Sequence, residues 1–543
     1  MKAYLREKIT AALASAGITP AFPVSFEKPR QAGHGDLTTN IAMLVAKQTG
    51  RKSRELAAEI AARLDPDPSL VAGVEVAGPG FINFSFTGNY YLRQLEELVR
   101  TGDSYGRSAL GNGRKVQVEF VSANPTGPLT VGHGRGAVFG DTIARMLEWT
   151  GHEVEREYYF NNAGRQMRIL GDSVRYRYLE LLGDQVRFPD DYYQGEYIRD
   201  IARHLVESDG DRLRAEPAEG KFKDQAETEI FAEIKKTLAS LGIVFRSFYN
   251  ENWLYEQGKI TEVVDELRAK GLAYDSEGAV WFRTSALGLE KDKVIVKSTG
   301  EPTYRLPDIA YHREKYRRGY DLMIDVFGAD HIATFPDVLA ALKALGLDER
   351  RVTVLIHQFV TILQDGEVVK MSTRKANFIT LDELIDEVGA DVVRYFFLMR
   401  TISSHLNFDL GLAKKHSDEN PVYYLQYAYA RICSILRYAG EGSAGAASGF
   451  DPALLSSPAE TDLIKTLLLF PETVESCAMA YEPHRLADYL QGVATAFHRF
   501  YHECRVVTDD APLTRSRLAL SHATGCVLRN GFDILGISAP QQM

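Results

Sequence analysis

At 543 residues the chain is too long for a single hydrophobic core and is expected to divide into several domains. Its formal charge of −10 gives little long-range pull on a polyanion, so any nucleic-acid contact rests on local basic surfaces. No apolar run approaches the ~20 residues of a bilayer span, the charged stretch Met1 to Ala16 does not read as a signal peptide, and Cys433, Cys477, Cys504 and Cys526 form no Cys-x-x-Cys pair, which argues for a reducing compartment and against structural zinc.

A helix is expected from Leu5 to Ala16, and strands around Val74-Glu75-Val76 and from Phe81 to Phe86, so the first domain reads as α+β. It runs to about Thr101, where small and polar residues from Gly102 to Gly113 make a linker. Lys115 to Ser122 then alternates Val116, Val118 and Phe120 with polar residues, as a strand does. Ala137 to Trp149 repeats Val138, Ile143, Met146 and Leu147 at helical spacing. Between them lies Asn124-Pro125-Thr126-Gly127-Pro128-Leu129-Thr130-Val131-Gly132-His133-Gly134-Arg135-Gly136. A strand, a glycine-rich turn and a helix N-terminus form an anion cradle, because unpaired N–H groups and the helix dipole favour phosphate and glycine lets it approach. The pattern is neither a P-loop nor a dinucleotide fingerprint. Read alone, it is equally an ordinary strand-to-helix turn with a solvated histidine.

Strands and helices alternate onward to about Phe408, which implies a parallel sheet with a nucleotide at the carboxyl ends of its strands. Within this region, Arg165 to about Gly288 is expected to be a polar, helical insertion. Leu355 to Leu363, followed by the turn Gln364-Asp365-Gly366-Glu367, predicts a hairpin. A basic loop, Val368-Val369-Lys370-Met371-Ser372-Thr373-Arg374-Lys375, precedes a capping box at Thr380-Leu381-Asp382-Glu383. Lys370, Ser372, Arg374 and Lys375 suit a pyrophosphate leaving group, or else a solvated surface loop. Asn420-Pro421, an N-cap and a proline at the first helical position, opens a third domain. That domain is helical to Met543 apart from a small-residue linker, Gly440 to Ser457. Tyr423, Tyr424 and Tyr427 read as packing aromatics within it.

Taken together, the segments around His133 and Lys370 resemble the HIGH and KMSK signatures of class I aminoacyl-tRNA synthetases. Thr130 stands in place of the first histidine and Thr373 in place of the second lysine. From end to end the chain resembles arginyl-tRNA synthetases. Gly33-His34-Gly35-Asp36-Leu37-Thr38-Thr39-Asn40 and Gly78-Pro79-Gly80-Phe81-Ile82-Asn83-Phe84 resemble their additional N-terminal domain. Further matches are Val118-Glu119-Phe120-Val121-Ser122-Ala123-Asn124, Tyr159-Phe160-Asn161-Asn162-Ala163-Gly164, Thr303-Tyr304-Arg305-Leu306-Pro307-Asp308, Gly328-Ala329-Asp330-His331 and Asn420-Pro421-Val422-Tyr423-Tyr424.

The resemblance implies a multidomain chain: an α+β tRNA-binding domain over 1–106, an α/β Rossmann-like catalytic domain over 107–408 with a largely helical insertion over 165–288, and an all-α anticodon-binding domain over 409–543. It implies activation of L-arginine with ATP and Mg²⁺, then transfer to the 3′ end of the arginine tRNA, by a cytoplasmic monomer without a membrane partner. It also implies that activation waits for tRNA. His133, Lys370 and Ser372 take the catalytic positions, and Gly132, Gly134 and Met371 join them around ATP; no protein metal site is expected. A guanidinium is a planar, permanently charged fork, so its pocket needs carboxylates and a hydroxyl in fixed geometry. The resemblance assigns these to Glu119, Tyr304 and Asp308, with Ser122, Asn124 and Asp330 on the arginine backbone or the ribose. Tyr304 and Asp308 share a face if their segment is helical, and Pro307 is tolerated in a first turn. Glu119 and Asp308 equally suit simple pairing with Arg or Lys neighbours. Phe81 and Asn83 match positions that touch the tRNA elbow. Basic surfaces for RNA are sought at Arg165, Arg168, Arg175 and Arg177, or at Arg313, Lys315, Arg317 and Arg318. Two other readings are a class I enzyme for a different substrate and a tRNA binder without catalysis.

Overall fold

A computed structural model of the protein describes residues 1–29, 33–369, 379–440 and 449–543. Helix α1 (Lys2–Ser15) buries Leu5, Ile9, Ala12 and Leu13, a stripe at three- and four-residue spacing. Strand β1 (Leu37–Thr39), helices α2 (Ile41–Thr49) and α3 (Ser53–Arg63), and strands β2 (Val71–Ala77) and β3 (Phe81–Phe86) follow. The strands form an antiparallel sheet in the order β1-β3-β2. Ile9, Ile41, Val45, Leu56, Ile60, Ile82 and Phe84 fill one core with it. Helix α4 (Gly88–Thr101) starts where the Thr87 side chain accepts a hydrogen bond from Tyr90 N.

The α/β fold begins with β4 (Lys115–Glu119), α5 (Val131–Trp149) and β5 (Glu153–Phe160). Helices α6 (Gly164–Leu181), α7 (Glu196–Asp209) and α8 (Lys223–Ser240) make up most of the expected insertion. It is not helical throughout, because β6 (Ser247–Asn250) returns to pair with β5. After α9 (Asn252–Glu256) and α10 (Lys259–Ala269), strands β7 (Ala273–Ser276), β8 (Ala279–Phe282) and β9 (Lys293–Val296) make a small antiparallel sheet. Then come α11 (Arg305–Arg317), β10 (Leu322–Gly328), α12 (Phe335–Ala344) and β11 (Val352–His357). The main sheet is wholly parallel, ordered β11-β10-β4-β5-β6.

The run from Leu355 to Leu363 is split between two sheets. Its first half ends β11, whereas its second half is β12 (Val360–Gln364), which pairs with β13 (Glu367–Val368) and later with β14 (Leu406–Asp409). The hairpin turn lies at Asp365 and Gly366, with φ of 52° and 81°. Lys370, Met371, Ser372, Thr373, Arg374 and Lys375 lie outside the described residues. Helix α13 (Leu381–Val388) carries the expected capping box, with Thr380 and Glu383 exchanging hydrogen bonds of 2.7 and 3.1 Å. Helices α14 (Ala390–Leu398), α15 (Leu410–Ala413), α16 (Pro421–Tyr438), α17 (Pro458–Leu467), α18 (Phe470–Ala480), α19 (Pro483–Glu503) and α20 (Ala511–Leu535) complete the chain. The Asn420 side chain accepts from Val422 N at 3.1 Å, so α16 starts as its N-cap predicts.

By internal contact the chain forms two units. One joins Met1–Asp103 to Ile432–Leu469 and Ala496–Val527, and the other joins Ser104–Arg431 to Phe470–Thr495 and Leu528–Met543. Within the first, Lys465 Nζ on α17 meets Asp36 Oδ1 at 2.8 Å. Within the second, Arg394 of α14 is buried and donates to Asp141 on α5 and to the carbonyls of Leu241 and Leu535. Helix α5 is buried on nearly every side, and Phe139, Ile143 and Leu147 are among its covered residues.

Candidate active site

Strand β4 comes first in the chain, and its successors β5 and β6 lie on one side of it while β10 and β11 lie on the other. The strand order therefore reverses at β4 and β10, which opens a crevice at their carboxyl ends. The chain leaves β4 abruptly. Ser122 N donates to Phe120 O at 3.0 Å around Val121, and Val121 and Ser122 have φ of 68° and 43°. A β-branched residue in the left-handed region costs on the order of 1–3 kcal/mol. The turn aims Ser122 Oγ back at Glu119 Oε1, 3.0 Å away, and Oγ also accepts from Tyr159 N at 3.2 Å.

Glu119 Oε2 is 2.6 Å from Lys315 Nζ, which also lies 2.6 Å from Asp325 Oδ1. His312 Nε2 is 2.9 Å from Asp325 Oδ2, and its Nδ1 is 2.8 Å from the Asp308 carbonyl. Burial raises both carboxyls that share the ammonium. For Asp325 the neighbouring Lys315 and His312 more than offset burial and hold it well below the usual range, whereas Glu119 ends raised. Glu251 is raised by burial as well; Tyr159 Oη donates to it at 2.8 Å, Asn161 Nδ2 at 2.8 Å and Tyr255 Oη at 3.2 Å. The Asp308 side chain accepts no hydrogen bond among the described residues. Burial pushes it up to about 7; His312 and Lys315 pull it down, while Glu119 and Glu251 add to the rise. A carboxylate held partly out of water without a partner is costly.

On the nucleotide side, α5 starts six residues earlier than its apolar spacing predicts. Thr130 is its N-cap and His133 completes the box: His133 N donates to Thr130 Oγ1 at 3.4 Å and Thr130 N donates to His133 Nδ1 at 3.2 Å. Because Nδ1 accepts, the neutral ring carries its proton on Nε2. Burial keeps it neutral by lowering its pKa, against the opposing pull of Asp330. Gly132 meets no crowding beyond its own cap, while a Cβ on Gly134 would press on Leu381 and Phe397. Gly132 thus leaves room for a ligand, and Gly134 leaves room for packing. Arg135, fully buried, donates to the carbonyls of Gln358, Thr401 and Ser404 at 2.8–3.0 Å.

Three sequence-family models match this chain: the arginyl-tRNA synthetase N-terminal domain over residues 3–86, the class I (R) tRNA synthetase catalytic domain over 94–394, and the DALR anticodon-binding domain over 425–543. An arginine–tRNA ligase of Desulfotalea psychrophila is 54% identical over 519 residues, covering 95% of this chain and 94% of that relative. One from Chlorobium phaeovibrioides is 52% identical over 557 residues, covering both chains fully. The chain belongs to the arginyl-tRNA synthetases. The solved arginyl-tRNA synthetase of Thermus thermophilus matches the fold with a TM-score of 0.79 at 23% identity, over 100% of both chains.

Of the residues expected in the synthetase's pocket, Glu119, Ser122 and Asp308 converge. Tyr304 lies apart: it precedes α11 and its side chain is 84% exposed, although Asp308 N reaches its carbonyl as a first helical turn requires. Asn124 borders the pocket with its amide engaged, donating to Gln166 Oε1 at 2.9 Å and accepting from Asn161 N at 3.0 Å. Asp330 follows β10 in a short helical turn and is exposed. In the first unit, Asn83 is buried on the central strand β3, with its amide nitrogen 3.4 Å from His34 Nδ1, while Phe81 is half-buried. The second basic surface is corrected. Lys315 is fully buried, and Arg313, Arg317 and Arg318 pair with Glu266, Glu262 and Glu157, because α11 faces carboxylates on its neighbours. Sequence reasoning misses Glu251, His312 and Asp325, which no local pattern marks.

Proposed function

We propose a division of labour among these residues in arginine activation. The chain is an arginine–tRNA ligase of class I and uses ATP. The arginine carboxylate attacks the α-phosphate, pyrophosphate leaves, and a ribose hydroxyl at the 3′ end of tRNA takes the aminoacyl group. The reading rests on one observation: Asp308, unpaired and near-neutral in its pKa, stands beside Glu119 and Glu251 at the sheet's switch point. A guanidinium beside Asp308 supplies a cation that favours its ionised carboxylate. Glu119, held by Lys315 and Ser122, and Glu251, held by three donors, are fixed before the substrate arrives. Tyr304 swings in from solvent, Asn124 and Ser122 receive the α-ammonium, and Asp330 takes the ribose.

Little covalent chemistry falls to the protein, so catalysis is positioning and charge stabilisation. His133 donates from Nε2 to charge developing on phosphate, and the open Gly132 backbone and the first turn of α5, including Gly134, complete the cradle. Lys370 and Ser372 are assigned to the β- and γ-phosphates, with Met371 beside them around ATP. Mg²⁺ would accompany ATP and neutralise charge on its phosphates. We further assign 1–106 to tRNA binding through Phe81 and Asn83, 107–408 to catalysis with 165–288 as insertion, and 409–543 to the anticodon, in a cytoplasmic monomer. Among the described residues no helix is long and apolar enough to cross a membrane.

Amino-acid-dependent pyrophosphate exchange, run across the amino acids with and without tRNA, tests the reading. Arginine alone is expected to support exchange. Asp308→Asn is expected to raise the KM for arginine by about tenfold or more, the cost of a lost charged hydrogen bond, with the KM for ATP unchanged. Unchanged arginine affinity removes Asp308 from the pocket.

A further inference from the structure

His357 ends β11 in register with Gly328, the last residue of β10. Its Nε2 lies 3.0 Å from where a Cβ on Gly136 would stand and 3.8 Å from where one on Gly328 would stand. Two glycines, one on α5 and one at a strand end, thus frame a single imidazole, and a side chain at Gly136 would displace it. Nδ1 is shielded and makes no well-formed hydrogen bond among the described residues. Burial keeps the ring neutral, down to about 4, against the opposing pull of the Gln358 backbone. Nε2 has no partner among the described residues either, and is not among the shielded atoms. With the neutral ring's proton assigned to the enclosed Nδ1, Nε2 offers its lone pair to the crevice. Such an acceptor repels phosphate oxygens, so the group that meets it is a donor. His357 stands on the β10–β11 side of the switch point, beside His133 and Asp330, whereas the carboxylate pocket lies toward β4 and β5.

We propose that His357 is a nucleotide contact of the synthetase: its Nε2 accepts a hydrogen bond from a donor on the adenosine of ATP. This inference rests on the arginine-activation reading above. His133 and His357 then form a complementary pair, the first donating to phosphate and the second accepting from the nucleoside. The donor is a ribose hydroxyl or the adenine 6-amino group.

Calorimetric titration of the full-length protein with ATP, together with arginine-dependent pyrophosphate exchange in the presence of the arginine tRNA, decides the matter. His357→Ala is expected to weaken ATP by about three- to tenfold in both Kd and KM, the worth of one hydrogen bond, while the KM for arginine holds. His357→Gln, whose amide oxygen reaches the Nε2 position, recovers most of the loss. Gly136→Ala, which crowds the ring, shifts ATP affinity in the same direction as His357→Ala. The analogues 2′-deoxy-ATP, 3′-deoxy-ATP and purine riboside triphosphate each lack one donor. The analogue that loses affinity for the wild type but not for His357→Ala identifies the bonded group. Wild-type ATP affinity in His357→Ala overturns the proposal. So does a joint loss of arginine and ATP affinity with a lowered melting temperature, or coupling with none of the three analogues. A wild type that binds ATP yet shows no arginine dependence in exchange sinks the arginine reading instead, and calorimetry still judges His357.

Discussion

Asp308 brings to the pocket a carboxyl that titrates at about 7, so near neutrality a large share of ligand-free molecules holds it protonated. A guanidinium favours the ionised form, and binding therefore expels the proton. Arginine is expected to bind more tightly as pH rises from about 6 to 8, levelling off above the titration point, with up to one proton released per arginine. The ligand-free fold behaves oppositely: with the folded value raised above the usual 3.8, this group's stabilisation is complete below that value and is lost as pH climbs through about 7. Calorimetry in buffers of differing ionisation enthalpy counts the protons, and a pH-independent arginine Kd would refute the assignment. Glu119 and Asp308 enter the sequence reading through the family resemblance, because their positions alone, a strand end and a first helical turn, equally suit pairing with Arg or Lys neighbours. The partners that tune them are not. Lys315 reads as one more cation on a basic helix, and only the pairing of β4 with β10 reveals that Glu119 and Asp325 converge on it.

At the scale of the element, α5 shows how closely a helix can lie on a sheet. A Cβ on Gly140 would collide with the Phe120 ring, which is itself packed on Phe245 with centroids 4.4 Å apart. Gly140→Ala is expected to cost about 2 kcal/mol, the usual price of overpacking a filled interior. A lower urea midpoint at unchanged slope would register it; an unaltered midpoint would mean that the ring yields freely. Signals that live within four residues, such as the Asp365-Gly366 turn, the box at Thr380 and the cap at Asn420, are readable from sequence because their hydrogen bonds are local. The division of Leu355 to Leu363 between β11 and β12 is not. Both halves are apolar strands, and what separates them is the choice of β10 or β14 as partner, far away along the chain. The early start of α5 is hidden for a similar reason, since its first turn serves the crevice and carries no apolar stripe.

For the whole molecule, the alternation of strands and helices suffices to read a parallel sheet, whereas the grouping of the late helices depends on packing that no composition break marks. Residues 470–495 and 528–543 cluster with the catalytic fold, and 432–469 and 496–527 cluster with the first 103 residues. The thiols test that packing. Cys477, Cys504 and Cys526 are buried, and burial pushes Cys477 and Cys526 up to about 11, while Cys433 is partly exposed. At pH 8 an alkylating reagent is expected to modify Cys433 first and the other three only in denaturant, as read by mass spectrometry. Equal rates at all four in the native protein would contradict the packing. Arg394 carries a different consequence. Its guanidinium is satisfied by Asp141, by the carbonyl of Leu241 and by the carbonyl of Leu535, and a buried donor left unmatched is expensive. During synthesis the signature helix must therefore wait, with its anchoring cation incompletely answered, until residue 535 has emerged from the ribosome. A nascent synthetase stopped short of that point has its whole parallel sheet and still lacks the last clasp on the helix packed against it.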